Sequence, residues 1–219
     1  AAFPVLHGRN GEDGTVQGLC ELAGIPVIGC DTLASALCMD KDRAHKLASL
    51  AGVEVPRSVC FSGLPSQAEL ETLTRSLTFP VFVKPVRAGS SFGITKVENP
   101  ANLRAAVRDA LRYDREVIVE EAIAGFEVGC AVMGNAELTT GRADEIEIQG
   151  DLFDYTEKYN LITSKIHMPA RVDAETERRI QDTAKSIYRA LGCRGFARVD
   201  MFLEPTGRLV FNEVNTIPG

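Results

Sequence analysis

Arg198, Asp200, Glu213 and Asn215 fall within the stretch Arg194-Gly-Phe-Ala-Arg-Val-Asp-Met-Phe-Leu-Glu-Pro-Thr-Gly-Arg-Leu-Val-Phe-Asn-Glu-Val-Asn215. Two carboxylates and an amide offer hard oxygen donors of the kind that suit magnesium or manganese. These ions keep several waters and share their coordination with substrate phosphates, so ATP is the expected further party. The positions follow from a β-hairpin. Runs rich in Val, Phe and Leu flank Pro205-Thr206-Gly207-Arg208, with Gly207 supplying the unusual turn angle. A symmetric two-residue turn pairs Asp200 with Glu213 and Arg198 with Asn215. Because side chains alternate with period 2, all four polar groups then share one face, and Val199, Met201, Leu203, Val210 and Val214 take the other. A bulge at Gly207 would shift this register by one. The pattern equally describes a solvated sheet face carrying an Arg-to-carboxylate pair.

Other segments bear on the choice. In Phe79-Pro-Val-Phe-Val-Lys-Pro-Val-Arg-Ala-Gly-Ser-Ser-Phe-Gly-Ile94, Lys84 ends a buried strand and a Gly-Ser-Ser-x-Gly loop follows. Small residues there let backbone N–H groups approach phosphate oxygens. The loop opens a strand and Ile-Thr-Lys follows Gly93, so it is no Walker loop, and an ordinary hairpin connection fits it too. Strand Val117–Ile123 ends in Glu120 and Glu121, and Glu127 opens the next strand. Such a carboxylate can accept both ribose hydroxyls or simply mark an exposed strand end. The loop Phe153-Asp-Tyr-Thr-Glu-Lys-Tyr159 is long enough for a lid or is a surface loop with a packed Tyr. His7 sits in a Gly-rich loop, where a structural role is the plainer alternative.

The elements that must hold these residues read as follows. Strand Phe3–Leu6, helix Thr15–Ala23 capped by Asp13 or Thr15, strand Pro26–Ile28 and helix Asp31–Met39 form an open α/β pattern. Helix Lys41–Leu50, strand Val53–Phe61 and helix Gln67–Leu77 follow. An α+β run succeeds them: strands Phe79–Lys84 and Ile94–Glu98, a helix with Asn99 as cap and Pro100 first, and strands Val117–Ile123, Phe126–Met133 and Glu145–Ile148. The polar loop Gln149–Ser164, helix Ala174–Leu191 and the hairpin complete the chain.

The 219 residues are 45% hydrophobic and 25% charged, as in ordinary globular proteins, and disordered or fibrous classes are excluded. A net charge of -6 argues against nucleic-acid or membrane-surface partners, so an anionic ligand must be held by a few local cations. The six cysteines form no C-x-x-C pair and read as small buried hydrophobes. With no secretory signal or long apolar span, a cytoplasmic setting is expected. The chain starts in an apolar run without an initiator Met and ends in an apparent loop, which suggests an internal piece of a longer protein.

In combination, the segments resemble the ATP-grasp D-alanine-D-alanine ligase family, more closely its vancomycin-resistance branch that makes D-alanyl-D-serine. The resemblance covers residues 3 to 219. Its carriers are His7-Gly8 through Gly11-Glu12-Asp13-Gly14, Cys38-Met-Asp-Lys41, Val83-Lys-Pro85 with Gly89-Ser-Ser-x-Gly93, Glu157-Lys-Tyr159, Gly195-Phe-Ala-Arg-Val-Asp200 and Asn212-Glu-Val-Asn-Thr-Ile-Pro-Gly219. It implies an ATP-grasp fold, two α+β subdomains clasping ATP, preceded by the remnant of an open α/β N-terminal domain. The expected divisions are 1–39, 40–122 and 123–219.

The resemblance further implies that Lys41 and Lys84 contact the ATP phosphates under the Ser90–Ser91 loop. Glu120, Glu121, Ala122 and Ile123 hold adenine, partly by backbone groups, Glu127 binds ribose and Phe202 adjoins the nucleotide. Asp200, Glu213 and Asn215 hold two Mg2+ ions, or Mn2+. Lys158 reaches the transferred phosphate, Arg198 stabilises the oxyanion, and His7, Ser90 and Tyr159 position the first D-alanine. The partners are D-alanine and a second D-amino acid, and a homodimer is expected of the full-length protein.

Ala88 stands where typical D-alanine-D-alanine ligases carry Glu, a change shared with the resistance branch. Lys158-Tyr159 matches an amine nucleophile and disfavours a D-lactate product. The family's first strand, its substrate-orienting Glu and the serine-containing loop expected after Gly219 are missing, so the chain alone is expected to be inactive. D-serine leads as second substrate. A housekeeping D-alanine-D-alanine ligase is the alternative, and an ATP-binding module without ligase activity is the reading from another class.

Overall fold

The computed structural model describes residues 1–89, 92–147 and 165–218. Its first quarter is helical: α1 (Thr15–Leu22), α2 (Thr32–Met39) and α3 (Lys41–Leu50). Asp31 caps α2 by accepting from the Ala34 N–H, and Asp40 caps α3 by accepting from Arg43. Helix α1 differs from expectation: its cap is Gly14 at φ 90°, with no side-chain bond, while the Asp13 carboxylate accepts from the N–H groups of Asn10 and Thr15. No strand forms at 3–6 or 26–28. A single parallel bridge joins Ala2 to Val27, and Phe3, Val5 and Leu6 are exposed. Pro4 and Pro26 lack the N–H a ladder needs, and no second strand is hydrogen-bonded alongside among the described residues.

A four-stranded antiparallel sheet follows, built from β1 (Ser58–Ser62), β2 (Val81–Pro85), β3 (Thr95–Val97) and β4 (Glu116–Glu121) in the order β1-β4-β2-β3. Helices α4 (Gln67–Thr74) and α5 (Leu103–Ala110) cover one face, where Leu70, Leu103 and Val107 pack on Val81, Val83, Val117 and Val119. A 3-10 turn at Pro100–Asn102 precedes α5. Register and period together put Phe82, Lys84, Ile118 and Glu120 on the opposite face. The first strand is shorter than expected. Pro56 interrupts it, and Val53 and Val55 join the other core cluster instead.

The second sheet has five antiparallel strands, β5 (Phe126–Gly134), β6 (Leu138–Glu147), β7 (Lys165–His167), β8 (Phe196–Leu203) and β9 (Leu209–Asn215), in the order β7-β6-β5-β8-β9. Helix α6 (Ala174–Ala190) covers one face with Ile180, Ala184 and Ile187, against Val128, Cys130, Val199 and Met201. Cys30, Cys38, Cys130 and Cys193 are buried as small apolar groups, whereas Cys20 and Cys60 are partly exposed. Strand β6 begins seven residues earlier than the expected Glu145, because its polar stretch pairs with β5 from Leu138 onward.

The hairpin pairs Asp200 with Glu213 and Arg198 with Asn215, as the spacing predicts, but by a different route. The turn joins Leu203 to Leu209, one residue out of the symmetric register, and a bulge between Asp200 and Met201 restores it, with Asn212 as the extra residue of β9. Val210 consequently lies opposite Phe202 on the polar face, and Phe211 takes the expected core place.

Candidate active site

The polar faces of the two sheets and the start of α3 converge. Lys84 Nζ lies 2.6 Å from Glu120 Oε2, and both side chains are nearly enclosed. Burial alone would raise the Glu120 pKa, but Lys84 first and His45 second reverse this and leave it lowered. His45, one helical turn after Lys41, presents Nδ1 at 3.5 Å from Glu120 Oε1 and donates from Nε2 to the Asn212 carbonyl at 2.8 Å. Burial lowers the His45 pKa, so a neutral ring stands between β4 and the bulge of β9, edge-on to Phe211. Among the described residues, its Nδ1 and the facing Oε1 are buried without a hydrogen-bond partner. Lys41 Nζ donates to the Ala88 carbonyl at 2.9 Å and lies 3.8 Å from Glu213 Oε2, which ties the loop after β2 to β9. Two ammonium groups at one end of a carboxylate-lined face can bind a polyphosphate.

On the five-stranded sheet Asp200 is 1% exposed. Arg198 grips it with two bonds, Nε to Oδ1 at 2.7 Å and a second guanidinium nitrogen to Oδ2 at 2.8 Å. The Asn215 amide donates to Oδ2 at 2.6 Å. The Arg198 pKa is raised, chiefly by the Asp200 charge and further by Asp144 and Glu127. Glu127 opens β5 on the same face, opposite Phe202, and accepts from the Asn212 amide at 3.1 Å. The Arg-to-carboxylate pair and the oxygen-donor cluster, alternatives in the sequence, therefore coexist. The donors fit a hard cation in chemistry and placement, since Asp200 and Glu213 are cross-strand partners and already draw Arg198 and Lys41. Among the described residues no group of three or more His, Cys, Asp or Glu is placed to hold a metal by itself.

Glu121 points elsewhere. Its carboxylate binds Arg57 and accepts from the Thr78 N–H, so any contact with a ligand falls to its main chain. The Ala122 N–H donates to the Pro80 carbonyl, and the Ile123 carbonyl accepts from Gly125. His7 is exposed and donates from Nδ1 to the Ile217 carbonyl at 2.9 Å, beside the end of β9. Glu12 staples the same junction, accepting from the N–H groups of Gly8 and Ile217. Burial raises its pKa, opposed by those two bonds. Ser90, Ser91, Lys158 and Tyr159 lie outside the described residues, as do all of the expected lid positions from 153 to 159. His45, Glu12 and Asn212 carry no role in the sequence reading. The spacing of Lys41 and His45 at i and i+4 on one helix was the signal for the first.

The profile of the D-ala D-ala ligase C-terminus matches residues 51–219, and that of the D-ala D-ala ligase N-terminus matches residues 1–30. Vancomycin B-type resistance protein VanB of Enterococcus faecalis is 49% identical over all of this chain and 64% of its own length. A putative D-alanine–D-lactate ligase of Streptomyces coelicolor is 48% identical over 99% of this chain and 63% of its own. Among solved structures, the VanG D-Ala:D-Ser ligase from Enterococcus faecalis superposes with a TM-score of 0.92 at 66% identity, covering 99% of this chain and 63% of that one. The chain thus spans a little under two thirds of the relatives it matches. No helix among the described residues is long and apolar enough to cross a membrane. With this lysine- and carboxylate-lined face, and matched over residues 51–219 by that profile, the chain belongs to the D-alanine–D-alanine ligase family with its ATP-grasp fold.

Proposed function

We propose that this chain is the ATP-binding part of a ligase that joins D-alanine to a second D-amino acid, D-serine, through a D-alanyl phosphate. The dipeptide would serve peptidoglycan precursors and vancomycin resistance. The observation that carries the reading is the single polar face running from Lys84 and Glu120 through Lys41 and Glu213 to Asp200 and Arg198. The likeness to a D-Ala:D-Ser ligase supports D-serine. The family profile keeps D-alanine as the alternative.

In this reading Lys41 and Lys84 bind the phosphates, and the strand end at Glu120, Glu121, Ala122 and Ile123 receives adenine. Glu127 takes the ribose hydroxyls beside Phe202. Asp200, Glu213 and Asn215 would hold two Mg2+ or Mn2+ ions, which supply charge neutralisation between the phosphates and the incoming carboxylate. A D-alanine carboxylate oxygen attacks the γ-phosphorus and ADP leaves. The amine of the second amino acid then attacks the acyl carbon, loses a proton, and inorganic phosphate departs. Arg198 donates to the oxyanion that develops in this second step. His7, Ser90 and Tyr159 position D-alanine, Ser91 covers the phosphates and Lys158 reaches the transferred phosphate. The roles of Ser90, Ser91, Lys158 and Tyr159 rest on motif resemblance.

Full-length protein containing this chain, given ATP, Mg2+, D-alanine and in turn D-serine, D-alanine or D-lactate, is expected to form D-alanyl-D-serine fastest at neutral pH. Equal or better use of D-alanine defeats the D-serine assignment. Absence of dipeptide or ester with every acceptor defeats the ligase reading.

A further inference from the structure

Asp144, Gly129, Asp200 and Glu213 form one row across four adjacent strands. Gly129 of β5 pairs with Asp144 of β6 on one side and with Asp200 of β8 on the other, and Asp200 pairs with Glu213 of β9. Cross-strand partners share a sheet face, so Asp144 faces the same side as the candidate site. Gly129 leaves a gap in the row, and Asp144 leans into it. Its Oδ1 accepts from the Gly129 N–H at 2.9 Å. A Cβ at residue 129 would stand 2.3 Å from Asp144 Oδ1 and 3.2 Å from Asp200 Oδ1, which places the two oxygens within about 5.5 Å of each other.

Two carboxylates this close in a partly enclosed site repel. The Asp144 pKa is raised, first by burial and next by Asp200, with Arg198 and the Gly129 N–H opposing. The arrangement has a use if Arg198 must change partners. Both Asp200 oxygens are committed, Oδ1 to Arg198 and Oδ2 to Arg198 and Asn215. A divalent cation bound by Asp200 competes with the guanidinium for those lone pairs, and Arg198 then needs another counter-ion to stay beside the reacting carbonyl.

We infer that Asp144 is a positioning residue for Arg198, the carboxylate that retains the guanidinium when Asp200 turns to a divalent cation. Gly129 is part of the device, since any side chain there would occupy the space between the two acids. The inference rests on the ligase reading for its catalytic consequence and on the row of cross-strand pairs for its geometry.

The test uses the full-length protein and Asp144→Asn, which keeps an oxygen for the Gly129 N–H and removes the charge. Its kcat should fall about 10- to 100-fold, as for other residues that orient a site group, with KM for ATP nearly unchanged. In an Arg198→Lys background the same change should add little, because a residue that acts through Arg198 has nothing left to position. Asp144→Glu should recover part of the loss. Unchanged kcat, or effects that multiply in the double variant, would overturn the inference.

Nitrogen-15 relaxation at the Arg198 Nε–H provides a readout that needs no turnover. On saturation with Mg2+ the wild-type Arg198 should stay ordered and that of Asp144→Asn should become mobile. The same response in both proteins also overturns the inference. If wild type makes no product with any acceptor, the ligase reading fails while the relaxation comparison still decides the role of Asp144.

Discussion

The two sheets meet the same polar space with opposite kinds of charge network. On the four-stranded sheet Lys84 and Glu120 are both nearly buried, 2.6 Å apart, with neutral His45 closing the other side. Little solvent reaches this end, so separating the two groups would unpair a buried charge. On the five-stranded sheet Asp200 is equally buried, but the Arg198 side chain remains 26% exposed and has Asp144 and Glu127 nearby. One network fixes shape, and the other can exchange partners. A ligase needs both, a rigid seat for a nucleotide and a cationic group that follows charge as it develops.

Asp200→Asn should separate the two most sharply. It halves the charge-bearing donor set while keeping volume, so turnover should fall by about 10³-fold or more, roughly 4 kcal/mol in the barrier. Stability should fall by only about 1.5–3 kcal/mol, the scale of a hydrogen bond to a charged group. Initial rates beside urea unfolding of the same preparations measure both. A stability loss as large as the loss in barrier would mean that Asp200 is fixed like Glu120.

Glu120→Ala should act the other way. It strands the Lys84 ammonium in a nearly buried site, and breaking such a pair costs about 3–5 kcal/mol of stability. Chemical unfolding monitored by circular dichroism gives the number. A loss below about 1 kcal/mol would place the pair with ordinary surface ion pairs and dissolve the contrast between the sheets.

Much of this contrast was legible in the sequence, and the failures have physical causes. The spacing of the hairpin predicts the pairing of Asp200 with Glu213, whereas putting Lys84 and Glu120 on one face takes the register of β2 on β4 as well as the period of 2. That pairing emerged from two compensating departures, a turn shifted by one residue and a bulge at Asn212, which hydrophobic alternation cannot resolve. Val210 was misplaced for that reason. Asp144 escaped notice because the polar stretch after Leu138 hid where β6 begins, and a lone glycine such as Gly129 reveals nothing until its neighbours across the sheet are known. Glu12 and His45 act through carbonyls and N–H groups of Ile217 and Asn212, far along the chain. The helix spans follow from 3.6-residue spacing, which is local, although Gly14 takes the cap expected of Asp13 or Thr15, whereas the strand expected at 3–6 needs a neighbouring strand to exist at all.

The smallest effect concerns His45, where the rigid network meets solvent pH. Its pKa is lowered from 6.5, mainly by burial, with Glu120 partly opposing. The folded protein therefore keeps the ring neutral where the unfolded chain begins to take up a proton. Stability from this group is complete above 6.5 and is lost as pH falls below it, because there the unfolded state binds more protons. His45→Gln retains a donor for the Asn212 carbonyl and removes the titration. The variant should lose less stability than wild type between about pH 6.5 and 5.5, by up to about 1 kcal/mol, because the unfolded ring is half protonated at the upper limit and mostly protonated at the lower. Urea midpoints at several pH values test it. Wild type losing less than the variant as pH falls would mean that His45 is protonated in the fold, pairing with Glu120 as a cation, and the network would then hold a second exchangeable charge like that of Arg198 on the facing sheet.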